Sequence, residues 1–126
     1  MYELEERSEK VTIAGEEHYF VLTTKATKAI AQRYGGLEKL GEKLMKSENF
    51  EMALDEIVWL ITLLANQGVL IHNRLNKDKQ RELLTEEDVE LFTSPLELAT
   101  YKEAIMSAML KGTKRNVESE ETEQKN

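Results

Sequence analysis

The sequence lacks cysteine, an excess of basic residues and a long uninterrupted apolar run, and each absence excludes a class of protein. Without cysteine the chain forms no disulfides and no thiolate metal sites, which is compatible with a reducing compartment. A formal net charge of -7 argues against non-specific DNA binding, because duplex DNA repels acidic surfaces. The apolar stretch 57–65 is shorter than the roughly 20 residues that span a bilayer, and residues 1–10 lack the apolar core of a signal peptide. We therefore expect a soluble cytoplasmic protein that binds neither membranes nor nucleic acid.

A recognisable catalytic constellation is also missing. His18 and His72 are the only histidines, and neither stands at a metal-ligand spacing, so a structural or surface role is the simpler interpretation. The acidic run 86–88 is expected in the first turn of a helix from the helix dipole alone. Gly35-Gly36 is not followed by the Lys-Ser or Lys-Thr pair of a phosphate-binding loop. We predict a protein that is not an enzyme and holds no cofactor or metal.

The first half of the chain shows an ordered set of patterns. Alternating polar and apolar residues predict a β-hairpin over Lys10–Thr23, with its turn at 14–17. A helix capped by Thr24 follows and ends at Tyr34, where Gly35-Gly36 can supply a left-handed C-cap. After a short amphipathic helix, a long helix is predicted from Asn49 to about Asn76. Its stretch 57–65 is apolar almost all round, so other elements must surround it.

In the second half, capping signals define two further helices. Thr85 and Asp88 stand at capping-box spacing before a short helix that reaches Phe92, and 94–97 reads Ser-Pro-Leu-Glu, a strong helix start. Gly112 is expected to end the last helix, because beyond it only Val117 is bulky and apolar. The predicted fold is mainly α: a compact domain of about five helices around a long central helix, with a small N-terminal β-hairpin. We expect a flexible arm over 1–9, one domain over 10–112 and a disordered tail over 113–126.

Some apolar side chains exceed what the predicted core requires. They are Met52 and Trp59 on the long helix and Met106, Met109 and Leu110 on the last helix. Methionine adapts to irregular partners and tryptophan often anchors interfaces, so these residues are candidates for protein binding. The alternative is that they complete the core, as a small helical domain needs.

The segment from Val11 to Leu44 resembles a known family. It reads V-T-I-A-G-E-E-H-Y-F-V-L and then A-I-A-Q-R-Y-G-G-L-E-K-L-G-E-K-L. This is similar to the tail assembly chaperones of long-tailed bacteriophages and prophages, with R-Y-G-G-L-x-x-L the most specific stretch. The pattern extends over about residues 10–110.

The resemblance implies a non-enzymatic role in the host cytoplasm. Such chaperones bind the tape-measure protein, keep it soluble and help recruit tail-tube subunits, and they are absent from the mature virion. A homo-oligomer is compatible with this role. Many members are also made as a longer product by translational frameshifting.

Two other classes of function remain as alternatives. A small helical DNA-binding regulator is opposed by the net charge, by the lack of a basic recognition helix and by the apolar stretch 57–65. A small enzyme using His72 with Glu56 or Asp55 is opposed by distance, since more than four helical turns separate these residues.

Overall fold

The computed structural model describes residues 4–46 and 54–125, with side chains described over 6–46 and 54–113. Its elements confirm the predicted mainly α fold with an N-terminal hairpin. In chain order they are α1 (Leu4–Arg7), β1 (Ser8–Ile13), β2 (Glu16–Val21), α2 (Thr24–Tyr34), α3 (Leu37–Lys46), α4 (Leu54–Leu75), α5 (Glu86–Phe92) and α6 (Pro95–Lys125).

The hairpin is an antiparallel pair closed by a two-residue turn. Ala14 and Gly15 both have positive φ, 56° and 79°, which matches the right-handed twist of the strands. The predicted boundary of the flexible arm is wrong, because β1 begins at Ser8. The Lys111 ammonium group of α6 donates to the Ser8 carbonyl at 2.9 Å and contacts the Glu9 carboxylate at 2.8 Å. These contacts tie residues 8 and 9 to the domain.

Side-chain caps set the helix ends. Thr23, not Thr24, is the N-cap of α2, because its hydroxyl accepts the Ala26 N–H at 3.0 Å while Thr24 is already helical. Gly35 closes the same helix in the left-handed conformation, as predicted. Both predicted capping boxes form, one at Thr85–Asp88 and one at Ser94–Glu97.

The central helix is α4, which packs against β2, α2, α5 and α6. Most of its 57–65 stretch is buried, as predicted. The predicted start at Asn49 lies outside the described residues. By length and composition alone α4 could cross a membrane. The shortness of the apolar stretch 57–65 therefore does not exclude a membrane-spanning helix. Core helices pass the same test. The buried residues of α4 are Ile57, Val58, Leu60, Ile61, Leu64, Ala65, Gln67, Gly68 and Val69.

The polar interruption of α4 at 66–68 is where other elements attach. The Gln67 side-chain carbonyl accepts from the Thr23 hydroxyl, which joins α4 to the cap of α2. Gly68 lets β2 approach, because a Cβ there would lie 2.7 Å from the Tyr19 carbonyl oxygen. Asn66 exchanges two hydrogen bonds with the Leu84 backbone, at 2.7 and 2.8 Å. The interruption therefore fixes three neighbours of the central helix.

A second asparagine, one heptad later, holds the same connection. Asn73 exchanges hydrogen bonds of 2.7 and 2.9 Å with the backbone of Arg81. The Arg81 guanidinium then lies 3.4 Å from the Glu16 carboxylate and 3.3 Å from the Glu17 carbonyl oxygen of the hairpin. The segment between α4 and α5 is thus fastened to both the central helix and the hairpin.

The prediction that Gly112 ends the last helix is wrong, because α6 continues through it to Lys125. Gly112 has a packing role, since a Cβ there would lie 2.9 Å from the Leu22 Cβ. The disorder predicted for 113–126 stays a prediction, because the structure describes no side chains beyond Thr113.

Candidate functional site

The clearest candidate site is an open, mainly apolar groove between α3 and α6, named here the α3–α6 groove. Its volume is about 580 Å³. The lining residues come from the amphipathic face of α3 and from one side of α6. They are Leu37, Glu38, Gly41, Leu44, Met45, Met106, Ser107, Met109, Leu110 and Thr113.

Several groove side chains present apolar surface to solvent. Met45 is 75% exposed and Leu110 is 64% exposed. Leu37 and Met109 are partly buried and pack on the hydrophobic core, so the floor of the groove is continuous with the core. Adjacent exposed apolar side chains on one surface are typical of an interaction site.

Gly41 stands in the lining of this groove, in the interior of α3. A Cβ built at Gly41 would meet no atom within 4 Å, so a close helix crossing does not explain the glycine. Glycine inside a helix costs about 1 kcal/mol relative to alanine. In the described structure, its effect is to leave open a stretch of groove wall that a side chain would fill.

The structure brings together three of the five predicted binding residues. Met106, Met109 and Leu110 all line the α3–α6 groove. Trp59 is not part of the lining, and Met52 lies outside the described residues. Sequence reasoning missed the contribution of α3, although Leu37 and Met45 stand on the amphipathic face that the sequence shows. That these residues bind a partner stays a prediction.

Trp59 instead packs against the end of α2. The Arg33 guanidinium carbon lies 4.4 Å from the centre of the Trp59 ring, a cation–π contact. Tyr34 meets the same ring edge-on, with the two ring centres 6.1 Å apart. The indole is half-buried in this cluster, and its role in protein binding stays a prediction.

The same cluster contains an ion pair between α3 and α4. The Lys43 ammonium group donates to the Glu56 carboxylate at 2.7 Å, and this bond lowers the pKa of Glu56. The Tyr34 hydroxyl is buried close to the Glu56 carboxylate. Burial, with the nearby Glu56 charge, raises the pKa of Tyr34 to about 12. The tyrosine is therefore neutral at physiological pH, and nothing in the cluster resembles an activated acid or base.

A second apolar surface lies at the junction of α5 and α6, named here the apolar corner. Its three side chains, Leu91, Phe92 and Leu96, are all exposed, with Leu96 84% accessible. The Ser94–Glu97 capping box stands between Phe92 and the first turn of α6. The corner belongs to different elements from the groove, apart from the shared helix α6.

Both histidines take structural positions. His72 Nε2 donates to the Lys79 carbonyl oxygen at 2.8 Å, which holds the turn after α4. His18 is 4% exposed on β2, and its Nδ1 has no partner among the described residues. Burial and the nearby Arg81 lower the pKa of His18. No group of three or more histidine, aspartate or glutamate residues that could hold a metal occurs in the described parts of the chain.

Comparison with known proteins identifies no relative. No family model matches the chain, and neither a curated protein nor a solved structure matches it. Inference about function therefore depends on the resemblance in the sequence and on the chemistry of the two apolar surfaces.

Proposed function

We propose that this protein is a tail assembly chaperone of a long-tailed bacteriophage or prophage. In this role it binds the tape-measure protein, keeps it soluble and helps recruit tail-tube subunits. The observation that carries the proposal is the α3–α6 groove. A tape-measure protein has long helices with apolar stripes, and such stripes aggregate unless another surface covers them.

The shape of the groove suits one helix of a partner. Its lining on α3 runs from Leu37 to Met45 and on α6 from Met106 to Thr113. At 1.5 Å per residue each wall is about 11–12 Å long, or roughly two helical turns. An amphipathic helix would place two or three anchor side chains there, at i, i+3 or i+4, and i+7. Methionine side chains in the lining can adapt to anchors of different shape.

A short groove also implies several copies of the chaperone for each tape measure. One groove covers only about two turns of a helix, whereas a tape measure is many times longer. Copies bound side by side would cover the stripe in sections. The apolar corner would remain available on each copy for another contact, which is where we place the recruitment of tail-tube subunits.

Co-expression with the cognate tape-measure protein tests the proposal. The wild-type chain should keep the tape measure soluble and purify with it, at several copies per partner. The double variant Met106→Gln/Leu110→Gln should fold but lose most of this activity, because both side chains line the groove and reach solvent, with Met106 37% and Leu110 64% exposed. The matched variant Leu91→Gln/Leu96→Gln removes apolar surface from the corner and should retain the tape measure.

Two results would contradict the proposal. If the tape measure stays insoluble beside the wild-type chain and no complex forms at any ratio, the chaperone function is wrong. If the corner variant loses the tape measure and the groove variant keeps it, the assignment of the site is wrong.

A further inference from the structure

The charges around the α3–α6 groove specify the partner helix further, on the assumption that the groove has the proposed function. We infer that the groove selects an amphipathic helix whose apolar stripe is flanked by lysine or arginine. Among the described residues that line the groove, Glu38 carries the only charge, and it is negative. The lining itself therefore favours a cation at its edge.

Two further carboxylates stand beside the lining by helical spacing. Glu42 follows Glu38 by four residues on α3, and Glu103 precedes Met106 by three residues on α6. Residues three and four apart are neighbours on a helix surface. Glu38, Glu42 and Glu103 are all exposed, so each can meet a charge on an incoming helix.

Several lysines on the same two helices are already engaged elsewhere. Lys43 is bound to a carboxylate of α4, and Lys111 is bound to a carboxylate of β1. Lys102, four residues before Met106, has an interaction partner as well.

Lys46, at the end of α3, is exposed. Lys39 is also exposed, but it stands two residues from both Leu37 and Gly41 and so lies on another face of α3. Among the described residues beside the groove, three carboxylates therefore outnumber the exposed Lys46, and the edge is net acidic.

The acidic edge gives the groove a means of discrimination that its apolar floor lacks. A floor of methionine and leucine accepts any apolar stripe of suitable size, whereas carboxylates at the edge repel a stripe flanked by glutamate or aspartate. Each exposed ion pair changes affinity roughly two- to fivefold. Two or three such pairs would separate basic from acidic helices by about tenfold.

Two matched peptides test this inference by fluorescence anisotropy. Each is a helix of about 18 residues with leucine at i, i+4, i+7 and i+11, and the flanking positions are lysine in one and glutamate in the other. The lysine peptide should bind about tenfold more tightly at low salt. The difference should shrink at high salt, because exposed charges are screened.

Charge reversal distinguishes a local effect from net charge. Glu38→Lys/Glu42→Lys should abolish or invert the preference. The control Glu82→Lys/Glu90→Lys makes the same change in net charge at exposed sites outside the groove lining and should keep the preference. If the control abolishes it equally, the inference is wrong, because net charge alone explains the selection.

The remaining outcomes separate this inference from the proposed function. If both peptides bind equally and compete with each other, the groove takes helices without regard to charge. The charge preference is then wrong, but helix binding stands. If neither peptide binds, the inference and the assignment of the groove fail together.

Discussion

Gly41 offers the sharpest separation of stability from binding, because its neighbours leave space for a side chain. No atom lies within 4 Å of a Cβ placed there. Gly41→Ala should therefore stabilise the protein by about 1 kcal/mol, the difference in helix propensity. For a domain of this size the gain raises Tm by roughly 3–6 °C. Binding of the tape measure should change little, since one methyl group fills only a small part of the groove.

Gly41→Leu should keep most of the gain in stability and lose binding. Leucine is also a good helix former, but its four carbon atoms extend into the groove where a partner would place an anchor. We expect at least about a tenfold loss of affinity, the effect of losing one well-packed apolar anchor. Ala31→Leu, at an exposed position on α2, adds similar apolar surface away from the groove and serves as the control.

Thermal unfolding and pull-down measure the two effects separately. A lower Tm for Gly41→Ala would contradict the claim that a side chain at position 41 meets no neighbouring atom. Full binding by Gly41→Leu would refute the groove as the docking site, whatever its stability.

Three other predictions concern the fold. Asn66→Ala should lower the free energy of unfolding by about 1–3 kcal/mol, because it leaves the Leu84 backbone without two hydrogen bonds. Urea denaturation measures this change, with the exposed Gln32→Ala as control. Equal free energies of unfolding for the two variants would contradict the prediction. The pKa of His18 is lower in the folded chain, where burial and Arg81 oppose its protonation, so the unfolded chain binds more protons. The free energy of unfolding should therefore fall as pH drops from about 6.5 through the folded pKa. Tm measured at several pH values should show this fall, and His18→Leu should make it smaller. An unchanged dependence of Tm on pH in the variant would refute the reasoning. Deletion of residues 114–126 should change the free energy of unfolding by less than about 0.5 kcal/mol, because that segment has a single bulky apolar residue. A much lower free energy of unfolding for the shortened chain, measured by denaturation, would show that the tail packs on the domain.

The elements of this fold could be predicted from the sequence because their signals are local. The hairpin shows alternation around Ala14 and Gly15, and both capping boxes depend on residues three apart. The apolar stretch 57–65 predicts the central helix from its own composition. Each of these patterns acts within one element, so no knowledge of the neighbouring elements is needed.

The N-cap of α2 was misplaced by one residue between two adjacent threonines, Thr23 and Thr24. The other errors depend on distant contacts. Gly112 follows the pattern of a helix stop, but Leu22, 90 positions earlier in the chain, needs the space that glycine leaves. Asn66 looks like an interruption of an apolar helix until its bonds to Leu84 are seen. The sequence predicts only the α6 side of the groove, because the α3 side is joined to it by a distant contact. The sequence shows that α6 has surplus apolar side chains, but their pairing with α3 depends on the tertiary structure.

Photo-crosslinking from inside the groove is the most direct test of the central claim. A photoreactive phenylalanine analogue would replace Met106 in one variant and the exposed Gln32 of α2 in another, each co-expressed with the tape measure. The account predicts a covalent adduct with the tape measure from position 106 and little or none from position 32. Adducts from position 32 alone, with a soluble complex present in both samples, would contradict binding through the α3–α6 groove.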